Sequence, residues 1–322
     1  MSSHAVVSNH LLTHAPTPAQ DLSLRATPPN AARVEPLAAS ITQAASKQTY
    51  YTIRLLVDRG RVASAYRAYA YFRWVDDRLD AQAASQPRSL AFVERQQALV
   101  EVAYRGEQPP CLSPEERMLF DLVRSDDAPG SGLQAYIHHL MNVMVFDARR
   151  RGQTISQQAL ATYSGDLATS VTEALHYFIG HNDPTPVGTV RYLAVTAAHI
   201  THMLRDTYED VAAGYYNIAS EFLAAHGISP TQVHSDAYRD WVKARVQLAR
   251  DYFRQGSDYL CRVKSRRCRI AGFAYMARFE SVLAKIERDD YRLRPNYDEC
   301  KRLTTCVKAA WAVLNGAPGF AF

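Results

Sequence analysis

The chain has 322 residues, of which 47% are hydrophobic and 21% charged, with a formal net charge of +5. This composition is that of an ordinary globular protein with a sizeable core. The mild positive charge is too weak to indicate nucleic-acid binding, so we expect no nucleic-acid partner. Neither an apolar stretch of about 18 residues nor a signal-peptide pattern occurs, which predicts a cytoplasmic protein. Nothing in the sequence points to an oligomeric state.

Along the chain, composition and periodicity divide the sequence into a tail, one domain and a short end segment. Residues 1–40 are rich in Ala, Pro, Ser and Thr and show no helical period, which predicts a disordered N-terminal tail. Residues 41–316 carry apolar residues three and four apart, interrupted by short segments with Pro, Gly or Asp. Because no strand pattern occurs, this region predicts an all-α, single-domain bundle of roughly ten helices. Residues 317–322 would form a short C-terminal tail.

The first of two acidic motifs lies in segment 71–80, Tyr-Phe-Arg-Trp-Val-Asp-Asp-Arg-Leu-Asp. Asp76 and Asp80 are four residues apart, so in a helix their carboxylates lie on one face. Asp77 lies beside them, and Arg73 is one turn earlier. By itself such a pattern is more often a solvated helix face than a binding site.

The second acidic motif has the same spacing and raises the significance of the first. It lies in the sequence Met-Leu-Arg-Asp-Thr-Tyr-Glu-Asp, where Asp206 and Asp210 are four apart and Arg205 precedes them. Both motifs fall in the most apolar predicted helices, 63–81 and 189–213. Like charges at this spacing repel, and Asp is a poor helix former, so folding alone does not explain either motif.

If the two helices face each other, the four carboxylates Asp76, Asp80, Asp206 and Asp210 converge. Two unit charges about 4 Å apart cost on the order of 4 kcal/mol at an effective dielectric near 20. Such acids either raise their pKa values or bind cations. Mg²⁺ fits best, with Mn²⁺ as an alternative, because a hard ion is held by carboxylates and completed by substrate phosphates. Zinc would prefer His and Cys ligands, and the five cysteines form no CxxC pair.

From Ser46 to about Arg294 the chain resembles the squalene/phytoene synthase family of head-to-head trans-prenyltransferases. The matching features, in the family's order, are Ser46-Lys47 with Tyr50-Tyr51, Tyr69 and Arg73 before Asp76-Asp77-x-x-Asp80, the stretch from Asp147 to Tyr163, and Leu204-Arg205-Asp206-x-x-Glu209-Asp210. The resemblance implies a class I isoprenoid synthase bundle with a central apolar cavity. It also implies an enzyme, a transferase that ionises and condenses allylic prenyl diphosphates (C15 or C20) and releases diphosphate.

Specific roles follow from the same resemblance. It implies that both aspartate pairs hold Mg²⁺ and that Arg73 and Arg205 neutralise phosphate oxygens. The substrate-binding residues that it implies are Ser46, Tyr51, Tyr69, Asp77, Tyr163, His199 and His202. The two histidines replace the family's Gln and Asn, a departure that leaves the product class open. A requirement for NADPH also stays open, because no nucleotide-binding fingerprint occurs and family members that use NADPH lack one as well.

Three other readings compete with this one. A helical-bundle metal-dependent oxygenase or hydrolase would use a stripe at helical spacing, formed by His199, His202, Asp206 and Asp210. That class needs two Glu-x-x-His pairs, however, and the sequence contains one, from Glu173 to His176. A class I terpene cyclase requires a different second motif, with Glu where this chain has Gly214. A non-catalytic family member would have no need of the aspartates that this chain carries.

A basic run at 262–269, Arg-Val-Lys-Ser-Arg-Arg-Cys-Arg, places five cations in eight residues. Such a run is most often a solvated helix face. The functional alternative is peripheral contact with anionic lipid through Arg262–Arg269, which would suit an enzyme whose product is insoluble in water.

Overall fold

The computed structural model describes residues 34–82, 85–126, 128–180 and 188–297. Within these ranges the chain forms an all-α bundle, as the sequence predicts, and a lone bridge between Ile155 and Ala219 is the only β pairing. The twelve α-helices of the described residues are α1 (Val34–Ala45), α2 (Lys47–Leu56), α3 (Val62–Ala81), α4 (Gln86–Tyr104), α5 (Pro114–Arg124), α6 (Gly132–Arg150), α7 (Gln157–Ile179), α8 (Leu193–Arg205), α9 (Thr207–Ala213), α10 (Ser220–His226), α11 (Asp236–Arg262) and α12 (Arg266–Arg288).

Local sequence signals set most of these helix boundaries. Six helices begin after a serine whose side chain accepts a hydrogen bond from the backbone N–H three residues later, namely Ser46, Ser113, Ser131, Ser156, Ser235 and Ser265. Helices α7 and α9 end at Gly180 and Gly214, both in the left-handed conformation that glycine adopts without strain. The serine and glycine positions therefore explain where the predicted breaks fall.

The N-terminal boundary of the helical domain differs from the prediction. Helix α1 begins at Val34, so residues 34–40 belong to the bundle and not to a tail. Ala38 and Thr42 are fully buried, and α1 packs against α3. Small side chains allow this close packing, which the Ala- and Pro-rich composition of the segment obscures. Residues 1–33 of the predicted tail, and the predicted C-terminal segment 317–322, lie outside the described residues.

The single helix predicted over 189–213 is also corrected, because the structure divides it into three pieces. A short 3₁₀ turn at Thr189–Tyr192 precedes α8, and the chain bends at Asp206 before α9. The backbone N–H of Asp206 still donates to the carbonyl of His202 (3.0 Å), and Asp210 donates to the carbonyl of Asp206 (2.8 Å). Aspartate favours such helix boundaries because its side chain competes with the helical backbone for hydrogen bonds.

The bundle has two ends that differ in character. The mostly buried helix α8 packs against α7, α11 and α12. At one end, Arg267 of α12 donates to the carbonyl of Leu56, the last residue of α2 (3.1 Å). At the same end, the backbone N–H of Asp58 donates to the carbonyl of Phe178 of α7 (3.0 Å). Asp76 lies about 21 Å along α3 from the first residue of that helix. The first acidic motif therefore lies at the opposite end. No helix within the described ranges is long and apolar enough to cross a membrane.

Gly256 marks a close approach of α11 to α8. A Cβ at this position would lie 2.7 Å from the backbone nitrogen of Ala194. We expect Gly256→Ala to push the two helices apart and to lower the free energy of unfolding by about 1 to 3 kcal/mol. Gly165→Ala in α7 is the matched control, because its Cβ would meet nothing within 4 Å and Ala stabilises helices relative to Gly by about 1 kcal/mol. Thermal unfolding should show opposite shifts, and equal shifts would contradict this close contact.

Candidate active site

The first acidic motif lines a cleft between α3 and α6. Asp76 and Asp80 lie four residues apart near the C-terminal end of α3, and Asp147 of α6 faces them. With Tyr215 these residues border what we call the acid cleft. The remaining lining residues are Leu79, Gln86, Ser89, Met144, Ala148 and Arg151. The structure thus brings the first aspartate pair together with a third carboxylate that sequence reasoning did not select.

Asp76 lies where a negative charge is unfavourable. It is 5% exposed, and its Oδ2 accepts no hydrogen bond from any described residue. Burial raises the pKa of Asp76 well above its usual range, and the charge of Asp80 raises it further. Arg73 opposes this shift only in part, with its Nη1 3.4 Å from the carboxylate. A cation bound in the acid cleft would relieve this unfavourable charge.

The predicted substrate-binding residues near the first motif form two groups, one packed inside the bundle and one on its surface. Tyr69 is one turn before Arg73 and hydrogen-bonds with the side chain of Ser46, which is buried. Asp77, in contrast, is half exposed and forms an ion pair with Arg73 on the outer side of α3. Tyr51 is 52% exposed. The structure therefore places Ser46, Tyr69 and Arg73 together and leaves Tyr51 on the outer face of α2.

In the second acidic motif, Arg205 and His202 hold Asp206. Arg205 donates to both carboxylate oxygens of Asp206 (2.6 and 2.7 Å), and His202 Nε2 lies 2.7 Å from Asp206 Oδ2. Burial alone would raise the pKa of Asp206, but His202 and Arg205 hold that pKa well below its usual range. Asp206 is therefore ionised, and the guanidinium of Arg205 lies against its carboxylate.

A buried polar network connects Asp210 to the acid cleft. Arg150 of α6 donates to Asp147 Oδ1 (2.7 Å) and to Asn217 Oδ1 (2.8 Å). Asn217 in turn donates to Asp210 Oδ2 (2.7 Å). The hydroxyl of Tyr163 donates to the other oxygen of Asp147 (3.1 Å). Asp210 of the second motif is thus joined to Asp147 through Arg150, a guanidinium that is only 5% exposed.

His199 lies in the core next to this network. It is 3% exposed, its ring packs edge-on against Tyr163 with centroids 5.0 Å apart, and neither ring nitrogen has a hydrogen-bond partner among the described residues. Burial lowers the pKa of His199 well below its usual range, as do the nearby His202 and Arg150. His199 is therefore a neutral imidazole close to Tyr163, whereas His202 is committed to Asp206.

A second cavity lies between the second half of α7, the start of α8, the end of α11 and the first half of α12. Mostly apolar atoms line this apolar cavity, which is formed by Thr172, Leu175, His176, Arg191, Ala194, Val195, Tyr259, Leu260, Cys268, Gly272 and Tyr275. Ala194 precedes Asp206 by 12 residues on α8 and its boundary, which corresponds to about 18 Å of helix. The acid cleft adjoins the first half of α7, where Tyr163 hydrogen-bonds to Asp147, and the apolar cavity is lined by Thr172, Leu175 and His176 in the second half of that helix.

The pair Glu173 and His176 lies at this apolar cavity and not at the second acidic motif. Glu173 accepts hydrogen bonds from Arg191 and from the hydroxyl of Tyr192 (both 2.9 Å). His176 Nε2 lies 3.5 Å from the hydroxyl of Tyr259. The structure therefore does not join the Glu-x-x-His pair to the histidine and aspartate stripe of α8, as a di-metal oxygenase would require.

Sequence reasoning missed Asp147, Arg150, Tyr215 and Asn217 as site residues. Asp147 and Arg150 occur in the run Asp-Ala-Arg-Arg-Arg, and their spacing of three is a signal for a pair on one helix face. Tyr215 and Asn217 follow the second motif in a segment without helical period. Their roles depend on the return of the chain towards α6 after Gly214.

The donor atoms of the acid cleft are of the chemical kind that a hard divalent cation prefers. As the side chains stand, no group of three or more His, Cys, Asp or Glu within the described ranges could by itself hold a metal ion. The direct convergence of four carboxylates, predicted from sequence, is therefore not found. Three carboxylates, those of Asp76, Asp80 and Asp147, nevertheless line the acid cleft. The Oδ2 atom of the buried Asp76 has no hydrogen-bond partner among the described residues. Carboxylates with room for further ligands are the set that suits Mg²⁺, whose coordination is completed by water and phosphate oxygens.

The all-α bundle, its two aspartate pairs and its apolar cavity are the features that the sequence resemblance predicts. A sequence profile of the Squalene/phytoene synthase family matches residues 42–304. The chain therefore belongs to the squalene/phytoene synthase family, as the motifs predict.

Individual relatives agree with this assignment. Over 187 residues the chain is 25% identical to a presqualene diphosphate synthase of Rhodopseudomonas palustris, a match that spans 57% of this chain and 62% of the relative. A crystal structure of a dehydrosqualene synthase in complex with ligand superposes with a TM-score of 0.69 at 18% identity, covering 88% of this chain and 96% of that one. Squalene synthase HpnC from Alicyclobacillus acidocaldarius gives a TM-score of 0.62 at 17% identity, covering 81% and 96%. At these identities the two structures show a shared fold.

Proposed function

We propose that the protein is a Mg²⁺-dependent prenyltransferase that condenses two allylic prenyl diphosphates (C15 or C20) and releases diphosphate. The observation that carries the proposal is that the acid cleft adjoins the first half of α7, at Tyr163, whereas the second half of that helix lines the apolar cavity. A substrate with a charged head and a long hydrocarbon chain needs these two environments in one molecule. The presqualene diphosphate synthase relative supports the same class of substrate.

The aspartates of the two motifs are the residues that would bind the metal in this proposal. Asp76 and Asp80, with Asp147 facing them, would hold Mg²⁺, and Asp206 with Asp210 would contribute from the second motif. Bound Mg²⁺ would act as a Lewis acid on the leaving diphosphate. Mn²⁺ is the natural substitute because it shares the preference for oxygen ligands.

The remaining steps belong to the protein's side chains. Arg73 and Arg205 supply permanent positive charge at the two motifs, which favours binding of the anionic head group. The C–O bond breaks, and its electron pair leaves with the diphosphate. The double bond of the second chain then forms a C–C bond to the allylic cation, and the cation that this leaves on the second chain loses a proton to give the neutral condensed product. Tyr163 and His199 are buried where the chain would pass, and exclusion of water there would prevent hydrolysis to an alcohol.

Product analysis tests the proposal. The purified protein is incubated with Mg²⁺ and either farnesyl or geranylgeranyl diphosphate, with and without NADPH, and the organic extract is analysed by mass spectrometry. We expect a product with twice the carbon number of one substrate and a matching release of diphosphate. A dependence of the product mass on NADPH would assign the reductive branch of the chemistry. Absence of any condensed product from both substrates would contradict the proposed function.

A further inference from the structure

We propose that the end of the molecule that holds the apolar cavity docks on an anionic lipid bilayer. Two groups of side chains form the contacting surface, one on α2 and one on the basic run between α11 and α12. We call this surface the docking face and define it by Tyr51, Arg54, Leu55, Arg262 and Arg266.

Apolar anchors are present on α2. Leu55 is 71% exposed and Tyr51 52% exposed, and they are the large hydrophobic side chains that stand exposed in the part of the chain that the structure describes. They are four residues apart, so both project from the same side of the helix. Arg54 is exposed beside Leu55. An exposed apolar pair flanked by cations is the pattern of a helix that inserts its side chains at a membrane surface.

The basic run is fixed next to these anchors. Arg267 donates to the carbonyl of Leu56, the residue after Leu55, and forms an ion pair with Asp58. Segments 47–60 and 262–269 together contain eight cations and one acid, which is Asp58. Because that acid is already paired with Arg267, these two segments carry an excess of positive charge. This charge selects an anionic bilayer as the occupant, because each Lys or Arg near such a surface is attracted to it.

The apolar cavity lies close to the docking face. Leu260 lines the cavity two residues before Arg262, and Cys268 lines it between Arg267 and Arg269. The cavity therefore lies directly behind the basic run. A bilayer on the docking face would receive a hydrocarbon product without its passage through water, and this part of the inference rests on the proposed function. The acid cleft, which adjoins the first half of α7, would stay open to soluble cations and diphosphate.

Vesicle binding by the full chain tests the proposal. Vesicles of phosphatidylcholine alone are compared with vesicles in which phosphatidylglycerol replaces part of the lipid, and bound protein is measured by co-sedimentation. Simultaneous Arg54→Gln, Arg262→Gln and Arg266→Gln should weaken binding to the anionic vesicles about a hundredfold. Leu55→Ser, which keeps the charge, should weaken it on the order of tenfold. Added salt should weaken binding of the starting protein.

A matched control removes the same charge elsewhere. Arg88→Gln, Arg149→Gln and Arg288→Gln alter three exposed arginines near the acid-cleft ends of α4, α6 and α12. This variant should bind anionic vesicles as the starting protein does. Equal weakening by both triple variants, or no preference for anionic vesicles, would overturn the docking proposal.

Diphosphate release in solution separates this proposal from the proposed function. The docking-face variants should release diphosphate at the rate of the starting protein, since none of the changed residues lies in the acid cleft. A protein that binds anionic vesicles but releases no diphosphate would support docking and contradict the proposed function. A protein that releases diphosphate but does not bind anionic vesicles would support the proposed function and contradict docking.

Discussion

Asp76→Asn is expected to lower the rate of diphosphate release on the order of a thousandfold while the protein remains folded. The change keeps the shape of the side chain and removes the charge that would hold Mg²⁺ in the acid cleft. Asp206→Asn should reduce turnover by a similar factor. Turnover of farnesyl or geranylgeranyl diphosphate at the normal rate by either variant would show that the metal assignment is wrong.

The two variants should differ in stability when no metal is present. Because the pKa of Asp76 is raised in the folded protein, folding takes up protons at this site, and stability falls as pH rises above the unfolded pKa. Asp76→Asn removes this cost, so at neutral pH the metal-free variant should unfold at a higher temperature than the starting protein. The result to look for is a rise in stability together with a loss of activity.

Asp206 should behave in the opposite way. Its pKa is lowered in the folded protein by His202 and Arg205, so its contribution to stability is present above the unfolded pKa and is lost as pH falls through the folded pKa. Asp206→Asn should therefore lower the free energy of unfolding at neutral pH, by on the order of 2 kcal/mol. Thermal unfolding at pH 7 in a chelating buffer measures both effects, and a shift of the same sign in the two variants would contradict the assigned electrostatics.

Arg150→Met is expected to destabilise the protein by about 3 to 5 kcal/mol, because removal of one partner leaves the buried Asp147 uncompensated. Asn217 would lose its donor at the same time, and with it the support for Asp210. Arg150 touches no reacting atom in this account and is a positioning residue. Its loss should therefore also disorder the link between the two motifs and reduce turnover.

The neighbouring Arg149 provides the control for this experiment. It is exposed, so Arg149→Met should leave the free energy of unfolding within about 0.5 kcal/mol of the starting value. Arg150→Lys addresses the event that the Met variant fails to fold, since an ammonium retains the charge at Asp147 but lacks the fork that also reaches Asn217. We expect this variant to fold and to lose turnover. Equal stability of the two Met variants would contradict the network.

The first motif could be predicted because its geometry is local. A spacing of four on a helix places Asp76 and Asp80 on one face whatever the rest of the chain does, and α3 covers both residues. The surroundings of the second motif could not be predicted in the same way. Asp206 lies at the boundary between α8 and α9, where the chain bends. Its contacts with the sequence neighbours Arg205 and His202 depend on that bend.

The network around Arg150 could not be predicted from the sequence alone. Three consecutive arginines, 149 to 151, are equivalent as letters, and only the packing of α6 against the chain after Gly214 buries Arg150 and leaves Arg149 exposed. The same holds for helix α1, which composition assigned in part to a tail. Contacts with α3 bury Ala38 there, and such contacts join residues far apart in sequence.

The most direct test of the central claim is a crystal structure with Mg²⁺ and a non-reactive thio analogue of farnesyl diphosphate. The account predicts the diphosphate in the acid cleft beside Asp76 and Asp80, with metal density between head group and carboxylates. It predicts the hydrocarbon chain running past Tyr163 and His199 towards the apolar cavity. A diphosphate bound away from the acid cleft, or a chain lying outside the bundle, would contradict the assignment of the two ends of this molecule.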